Sequence, residues 1–238
     1  MRIIHSLILG LTALAVLTAG SAGASPLRGY TAEYEVLRNG SAIGRAEVRL
    51  QPVANGRWEL HSLTRGTAGL AALVGIEIEE RSQFRWQDGR PETLAYRYRQ
   101  SGAMRSRERR IDVDLAAGRL ISTDRDREHR FDLQPGTLDR QSVTLAIGLD
   151  LAAGKRDGLE YRVVDRNDYE LQRYRVVGDE TVQVPAGAIR AVRVERVRET
   201  PGRSTTTWMD PAREYLPVRM LQREAKGETI EMRLLRVR

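Results

Sequence analysis

The sequence predicts a mainly β protein: a single curved antiparallel meander sheet, for which a half-open barrel is one form, with one mid-chain helix packed on its concave side. Three observations predict it. Apolar and polar residues alternate through most of the chain, two-residue turn sequences separate the alternating runs, and one long stretch switches from period two to helical period.

The chain opens on Arg2, an apolar run from Leu7 to Leu17, and the small residues Ala22-Gly23-Ala24 before Ser25, the pattern of a cleaved export signal. The expectation is a signal peptide over 1–24, with cleavage after Ala24, and one β domain over 25–238 located in the periplasm. The apolar run falls short of the ~20 residues that span a bilayer. No cysteine follows it, so anchoring through a lipidated cysteine is excluded.

The first strand is marked by Tyr30, Ala32, Tyr34 and Val36 at alternate positions, and Asn39-Gly40 then supplies a turn with two positive φ angles. Asn55-Gly56 and Asp88-Gly89 repeat that signal. Between them, Ile76, Ile78, Ser82, Phe84 and Trp86 share one face, while Glu77, Glu79, Arg81, Gln83, Arg85 and Gln87 share the other. Leu94, Tyr96 and Tyr98 form the next set, and Leu216, Val218 and Met220 a late one. Asp157-Gly158 and Gly178-Asp179 read as turns in the second half.

Two segments depart from alternation. Thr137 to Ala153 carries Leu138, Leu145 and Leu149 at helical spacing, widened by Val143, Ile147 and Leu151, with Asp139 in the first turn and Gly154 as the stop. Thr67 to Val74 is short and unusually apolar between Gly66 and Gly75. Leu70, Leu73 and Val74 form a plug if buried, which is the expectation, and a lid or a membrane-touching tip if exposed.

Composition narrows the function. The basic excess is 39 Lys plus Arg against 32 acids, and all the basic residues but Lys155 and Lys226 are arginines, spread along the chain without a basic tract. Nucleic acid is therefore not an expected partner. Weak contact with an anionic membrane or cell-wall surface is compatible with that charge. The absence of cysteine excludes thiol catalysis and thiolate metal sites, and leaves stability to burial and ladder hydrogen bonds.

No catalytic constellation emerges, so the sequence predicts no enzyme, no cofactor and no metal. His61, in Trp58-Glu59-Leu60-His61-Ser62, falls on the polar face of a strand beside Glu59. His129 follows Asp124, Asp126 and Glu128, but the interleaved arginines oppose a divalent cation and the glycine turn of a calcium loop is missing. Gly148 to Lys155 misses the phosphate-loop spacing, lacks the Ser or Thr after the lysine, and ends a helix where a phosphate loop begins one. Aromatic residues with polar tips on adjacent strands can line a ligand groove or fill a core. The candidate groove lining is Phe84, Trp86, Tyr96, Tyr98, Leu145, Leu149, Trp208 and Met220.

A longer pattern occupies the C-terminal half. Val184-Pro185-Ala186-Gly187 leads into Ala188-Ile189-Arg190-Ala191-Val192-Arg193-Val194, then come Trp208-Met209-Asp210, Tyr215-Leu216-Pro217-Val218-Arg219 and Gly227-Glu228-Thr229-Ile230. With Asn39-Gly40 turning into Ile43-Gly44, and Gln134-Pro135-Gly136 before the helix, this resembles DUF3108, an exported bacterial family of unknown function. The resemblance covers nearly all of 25–238. Its motifs are turn and core residues: Pro185 fixes φ before Gly187, Trp208 fills core, and Pro217 sits at an edge or where a missing N–H does no harm. The segment Leu138 to Thr144 departs from the family pattern, lacking its tyrosine.

The fold and resemblance imply an exported, non-catalytic carrier or binding module for an apolar or lipid-like ligand. The alternative is an envelope-associated structural or interaction protein that meets anionic surface through its arginine-rich face.

Overall fold

The structure, a computed structural model, describes residues 27–103, 106–199 and 201–238. The predicted export signal lies outside the described residues. The strands are β1 (Tyr30–Arg38), β2 (Ser41–Val53), β3 (Arg57–Gly66), β4 (Glu77–Gln87), β5 (Arg90–Ser101), β6 (Arg107–Asp114), β7 (Arg119–Asp124), β8 (Arg127–Asp132), β9 (Leu159–Asp165), β10 (Asp168–Val184), β11 (Gly187–Val197), β12 (Ser204–Asp210), β13 (Leu216–Arg223) and β14 (Thr229–Val237). Two α-helices interrupt them, α1 (Gly69–Leu73) and α2 (Ser142–Ala152).

All fourteen strands form one antiparallel sheet in the order β8-β7-β6-β5-β4-β3-β2-β1-β14-β13-β12-β11-β10-β9. Each half is a meander, and β1 pairs with β14, so the first and last strands lie side by side in the middle of the sheet. The two sheet edges are therefore β8 and β9, and the segment that runs from one to the other contains α2. The sheet is not closed, since β8 and β9 form no ladder, but the segment before α2 bridges toward both β5 and β9. Leu138 N–H donates to Arg162 O at 3.0 Å and Val164 N–H to Leu138 O at 2.9 Å, while Thr93 N–H on β5 donates to Thr137 O at 3.0 Å. Phe131 meets the Tyr169 ring edge to face at 5.5 Å, and Ser122 Oγ donates to Arg166 O.

The predicted turns explain the hairpins. Asn39-Gly40 joins β1 to β2 and Asp88-Gly89 joins β4 to β5, each with both residues at positive φ, the geometry that matches strand twist. Gly178-Asp179 is not a turn. β10 runs straight through it with a register shift between Val176 and Gly178, a bulge that bends a strand of 17 residues. That bend carries the Pro185-Ala186 turn across to β14, where Ala186 N–H donates to Leu234 O at 3.0 Å. Pro217 lies at the start of β13, opposite Met209 of β12 beside a register shift and before the ladder to β14 begins at Arg219. Its carbonyl accepts from the buried Tyr34 hydroxyl at 2.8 Å.

Burial follows the alternation. Ala32, Tyr34, Val36, Trp208, Val218 and Leu234 belong to one cluster that holds the second half of the sheet against β1 and β2. A second joins Leu138, Val143, Ala146, Ile147 and Leu151 to Leu159, Tyr161, Val163, Val192, Val194 and Met209. A third spans the seam with Tyr96, Ile111, Leu120 and Val164, and a fourth holds Leu50, Leu60 and Phe84, with Leu145 packed on it. Thus α2 fills the concave side of the sheet, apolar contacts on both flanks, which is why its sequence is apolar nearly all round.

Two further sequence expectations are corrected. The helix starts at Ser142, because Thr137 to Asp139 are extended and spend their backbone groups on β5 and β9. The Thr67 to Val74 segment is no plug. It forms the single turn α1 with no buried residue, since its flanking glycines let it leave the sheet end and stand outside the core.

Candidate functional site

Three polar arrangements surround α2. The first is at its start. Asp139 is fully buried, and its Oδ1 accepts from the N–H groups of Gln141 (2.8 Å) and Ser142 (3.0 Å), which have no intrahelical acceptor. Its Oδ2 accepts from Thr93 Oγ1 at 2.8 Å and from Ser82 Oγ, so one carboxylate caps the helix and ties it to β4 and β5. Gln141 Nε2 adds a bond to Ser62 Oγ on β3 at 2.9 Å. These hydroxyls spend their hydrogens on a structural acid. No histidine takes part; His61 lies on the outer face against Glu79 Oε1 at 3.1 Å.

The second arrangement lies between α2 and the seam. Glu80, on the inner face of β4, accepts from the Tyr96 hydroxyl and stands 3.5 Å from Arg140 Nε. The Glu80 charge raises the Arg140 pKa, and burial, with the same charge added, pushes the Tyr96 phenol far above its ordinary value. The guanidiniums of Arg109 and Arg140 lie 5.2 and 5.8 Å from the Tyr98 ring centre. Arg109 is buried and reaches Asp124 at 3.3 Å and Asp165, across the seam, at 3.6 Å. Burial opposes ionisation of Asp124, but the Arg107 and Arg109 contacts outweigh it and hold its carboxyl below the ordinary range.

The third is at the other end of α2. Asp150 accepts from Tyr161 Oη at 2.8 Å and Arg90 Nη2 at 3.0 Å, with Lys155 Nζ at 3.5 Å. Beside it a cleft of about 210 Å³ opens between the β4–β5 turn and the helix, walled by Gly89, Arg90, Pro91, Ala146, Leu149 and Asp150. A wider depression of about 600 Å³, open to solvent, lies between the β1–β2 and β13–β14 turns at Asn39 and Lys226 to Thr229.

The eight predicted groove residues are divided. Phe84 and Leu145 meet in one cluster, Tyr96 and Tyr98 in another, and Trp208 and Met220 in a third. Trp86 is half-buried near the β4–β5 turn, and Leu149 alone of the eight walls the cleft. The residues missed were legible only in part. Glu80 shares the parity of Ile78 and Ser82, an acid on the dry face, and Arg109 shares that of Ile111. Asp139 with Ser142 three residues on is a helix-start signal. Nothing local pairs Asp150 with Arg90, 60 residues away.

The outer face carries many arginines, but acids interleave with them. Arg49, His61, Arg81, Arg97 and Arg110 are cross-strand neighbours over five strands. Flanking acids meet that row: Arg49 pairs with Glu47 at 3.0 Å, Arg81 with Glu79 at 2.7 Å, and Arg97 with Asp112. Among the described residues no group of three His, Asp or Glu side chains could hold a metal ion, and no helix is long and apolar enough to cross a membrane.

Residues 30–234 match DUF3108, described as a protein of unknown function. The chain belongs to this family. Among solved structures it is similar to a β-barrel-like protein of the domain of unknown function DUF1849 from Brucella abortus, with a TM-score of 0.56 at 11% identity over 89% of this chain and 97% of that one. An exported protein, provisionally so named, with a YmcC-like fold from Bacteroides fragilis gives 0.35 at 14% identity, over 89% and 96% of the two chains. A provisionally named lipoprotein from Parabacteroides distasonis gives 0.36 at 9%, again over 89% and 96%. No curated protein matches the sequence. The DUF1849 likeness concerns fold alone: the DUF3108 chain shares a β-barrel-like architecture with it.

Proposed function

We propose that this DUF3108 protein is an exported, non-catalytic binding module of the cell envelope, whose ligand is a small lipid-like amphiphile held beside α2. The observation that carries this reading is the cleft between the β4–β5 turn and α2. Its walls are apolar at Pro91, Ala146 and Leu149, and Arg90 on its wall is directed at Asp150, which Lys155 also approaches. A narrow apolar tail fits the walls, and an anionic head group can take over the cations from Asp150. The volume, about 210 Å³, is below the ~300 Å³ of ordinary drug-sized pockets, which limits the ligand to one slender tail while α2 stays in place. The ion pairing of the outer arginines supports this reading over general adhesion to anionic surface.

Native mass spectrometry of protein purified from its own envelope tests it. The expected spectrum contains a bound amphiphile that is lost in Leu149→Trp, which fills the cleft, and reduced in Arg90→Ala. A chain that carries no added mass, or whose added mass survives both substitutions, overturns the reading.

A further inference from the structure

α1 is a helix with no buried residue, and Leu70 and Leu73 on it are 78% and 82% exposed, against 51% for Val197, the next most exposed large apolar side chain among the described residues. This exposure is built into the backbone. Thr67 N–H donates to Ile43 O at 2.9 Å, Ile76 N–H to Ala71 O at 3.0 Å, and Ala103 N–H to Val74 O at 2.8 Å, so strand ends and the β5–β6 link hold the turn in place. Gly66 admits the close approach: a side chain there would put its first carbon 2.5 Å from Ala71 O. Leucines three apart on a fixed turn form a rigid apolar prong. Exposed arginines stand at the strand ends beside it, Arg45 and its cross-strand neighbour Arg65 on β2 and β3, with Arg99 farther along β5. Arg65 is paired with Glu77, while Arg45 is in no ion pair among the described residues.

We infer that the α1 prong docks on an anionic lipid bilayer surface, with Leu70 and Leu73 entering the head-group boundary and Arg45 and Arg65 facing the lipid phosphates. Size favours lipid over a protein partner. Two leucine side chains present roughly 200 Å² of apolar surface, about a quarter of the ~800 Å² per partner that a stable protein interface buries. A bilayer requires no matching shape, and its binding scales with the apolar area inserted plus the attraction of basic residues to anionic lipid.

Co-sedimentation of the purified native protein with phosphatidylcholine vesicles, with and without phosphatidylglycerol, tests this. The native chain should partition onto vesicles containing phosphatidylglycerol, and Leu70→Ser/Leu73→Ser should weaken that partition by roughly tenfold or more. Arg45→Gln/Arg65→Gln should weaken it by about fivefold per charge, on the anionic vesicles only and less at high salt. The leucine pair is outside the core, so circular dichroism and melting should match the native protein. Failure of the native protein to partition, or equal partition of the leucine variant, overturns the inference. So does self-association of the native chain that the leucine substitutions abolish, which would make a second copy the occupant of the prong.

Discussion

The two flanks of α2 are held by different forces. Toward β9, β11 and β12 the helix meets aliphatic and aromatic side chains, and Val163 and Val192 at the bottom of that interface are fully buried. Toward β3, β4 and β5 it is held by directed bonds, from Gln141 to Ser62, from Ser82 and Thr93 to Asp139, and from Arg90 to Asp150, with Leu145 as its main apolar contact. The apolar flank supplies stability in proportion to area, without regard to angle. The polar flank adds less net free energy, but each bond has one geometry, and losing one partner strands the other. The helix is thus glued to the C-terminal half of the sheet and latched to the N-terminal half. The cleft beside Leu149 opens on the latched side, where a ligand would displace polar contacts instead of a packed core.

The largest effect should come from the glued flank. Leu151 is 1% exposed, and Leu151→Ala should cost about 2–5 kcal/mol, read from the denaturant midpoint at unchanged slope. A loss below about 1 kcal/mol would mean that this flank is not what carries the helix.

The latched flank should respond less in magnitude and differently in place. Asp139→Ala leaves Ser82, Thr93 and two helix N–H groups without their acceptor, at a cost of about 1–3 kcal/mol. Hydrogen exchange should quicken at Gln141, Ser142 and the neighbouring amides of β4 and β5, while the amides of β11 keep their protection. Equal loosening of β11 would show that glue and latch act as one unit, and would erase the distinction.

The contrast also explains what could be read from sequence. Alternation and paired turn residues such as Asn39-Gly40 are local rules, so the meander and its inner face were legible before any contact was known. The helical stretch was equally legible, because apolar spacing over eleven residues survives any tertiary context. Its first turn was not. Thr137 to Asp139 have helical spacing, but the start of β5, which the β6 ladder does not reach, and the outer edge of β9 offer them backbone partners that sequence does not display. The Gly178 bulge was hidden for a similar reason, since a glycine followed by an aspartate marks a turn locally and a bend only once β11 is alongside. The predicted groove lining joined strand residues chosen by parity to Leu145 and Leu149 chosen by helical spacing, and neither rule says where along the curved sheet two side chains meet. Glu80 on the inner face and Asp150 on α2 define the polar sites, and their partners Arg140 and Arg90 come from across the fold.

The smallest perturbation is a proton, and it can compare both flanks in one experiment. Tyrosines packed into the core stand on each: buried Tyr96 on the latched side, and buried Tyr161 with half-buried Tyr174 on the glued side, their rings 5.9 Å apart. Burial raises all three, that of Tyr174 from 10.0 to about 12, and the carboxylates beside Tyr96 and Tyr161 raise those two further. A group whose folded pKa lies above its unfolded one contributes stability that is complete below pH 10.0 and is lost as pH rises through the folded value. Each such tyrosine should therefore remove about 1.4 kcal/mol of stability per pH unit above 10 until its own folded pKa is passed. The tyrosinate absorbance of these residues should appear together with the loss of far-ultraviolet dichroism, in one cooperative step. Tyr96→Phe removes the latched-side share and should shift that step upward in pH, and the glued-side pair should still titrate only on unfolding. If tyrosinate forms near pH 10 while the β signal persists, water already reaches these rings, and both flanks are looser than the packing implies.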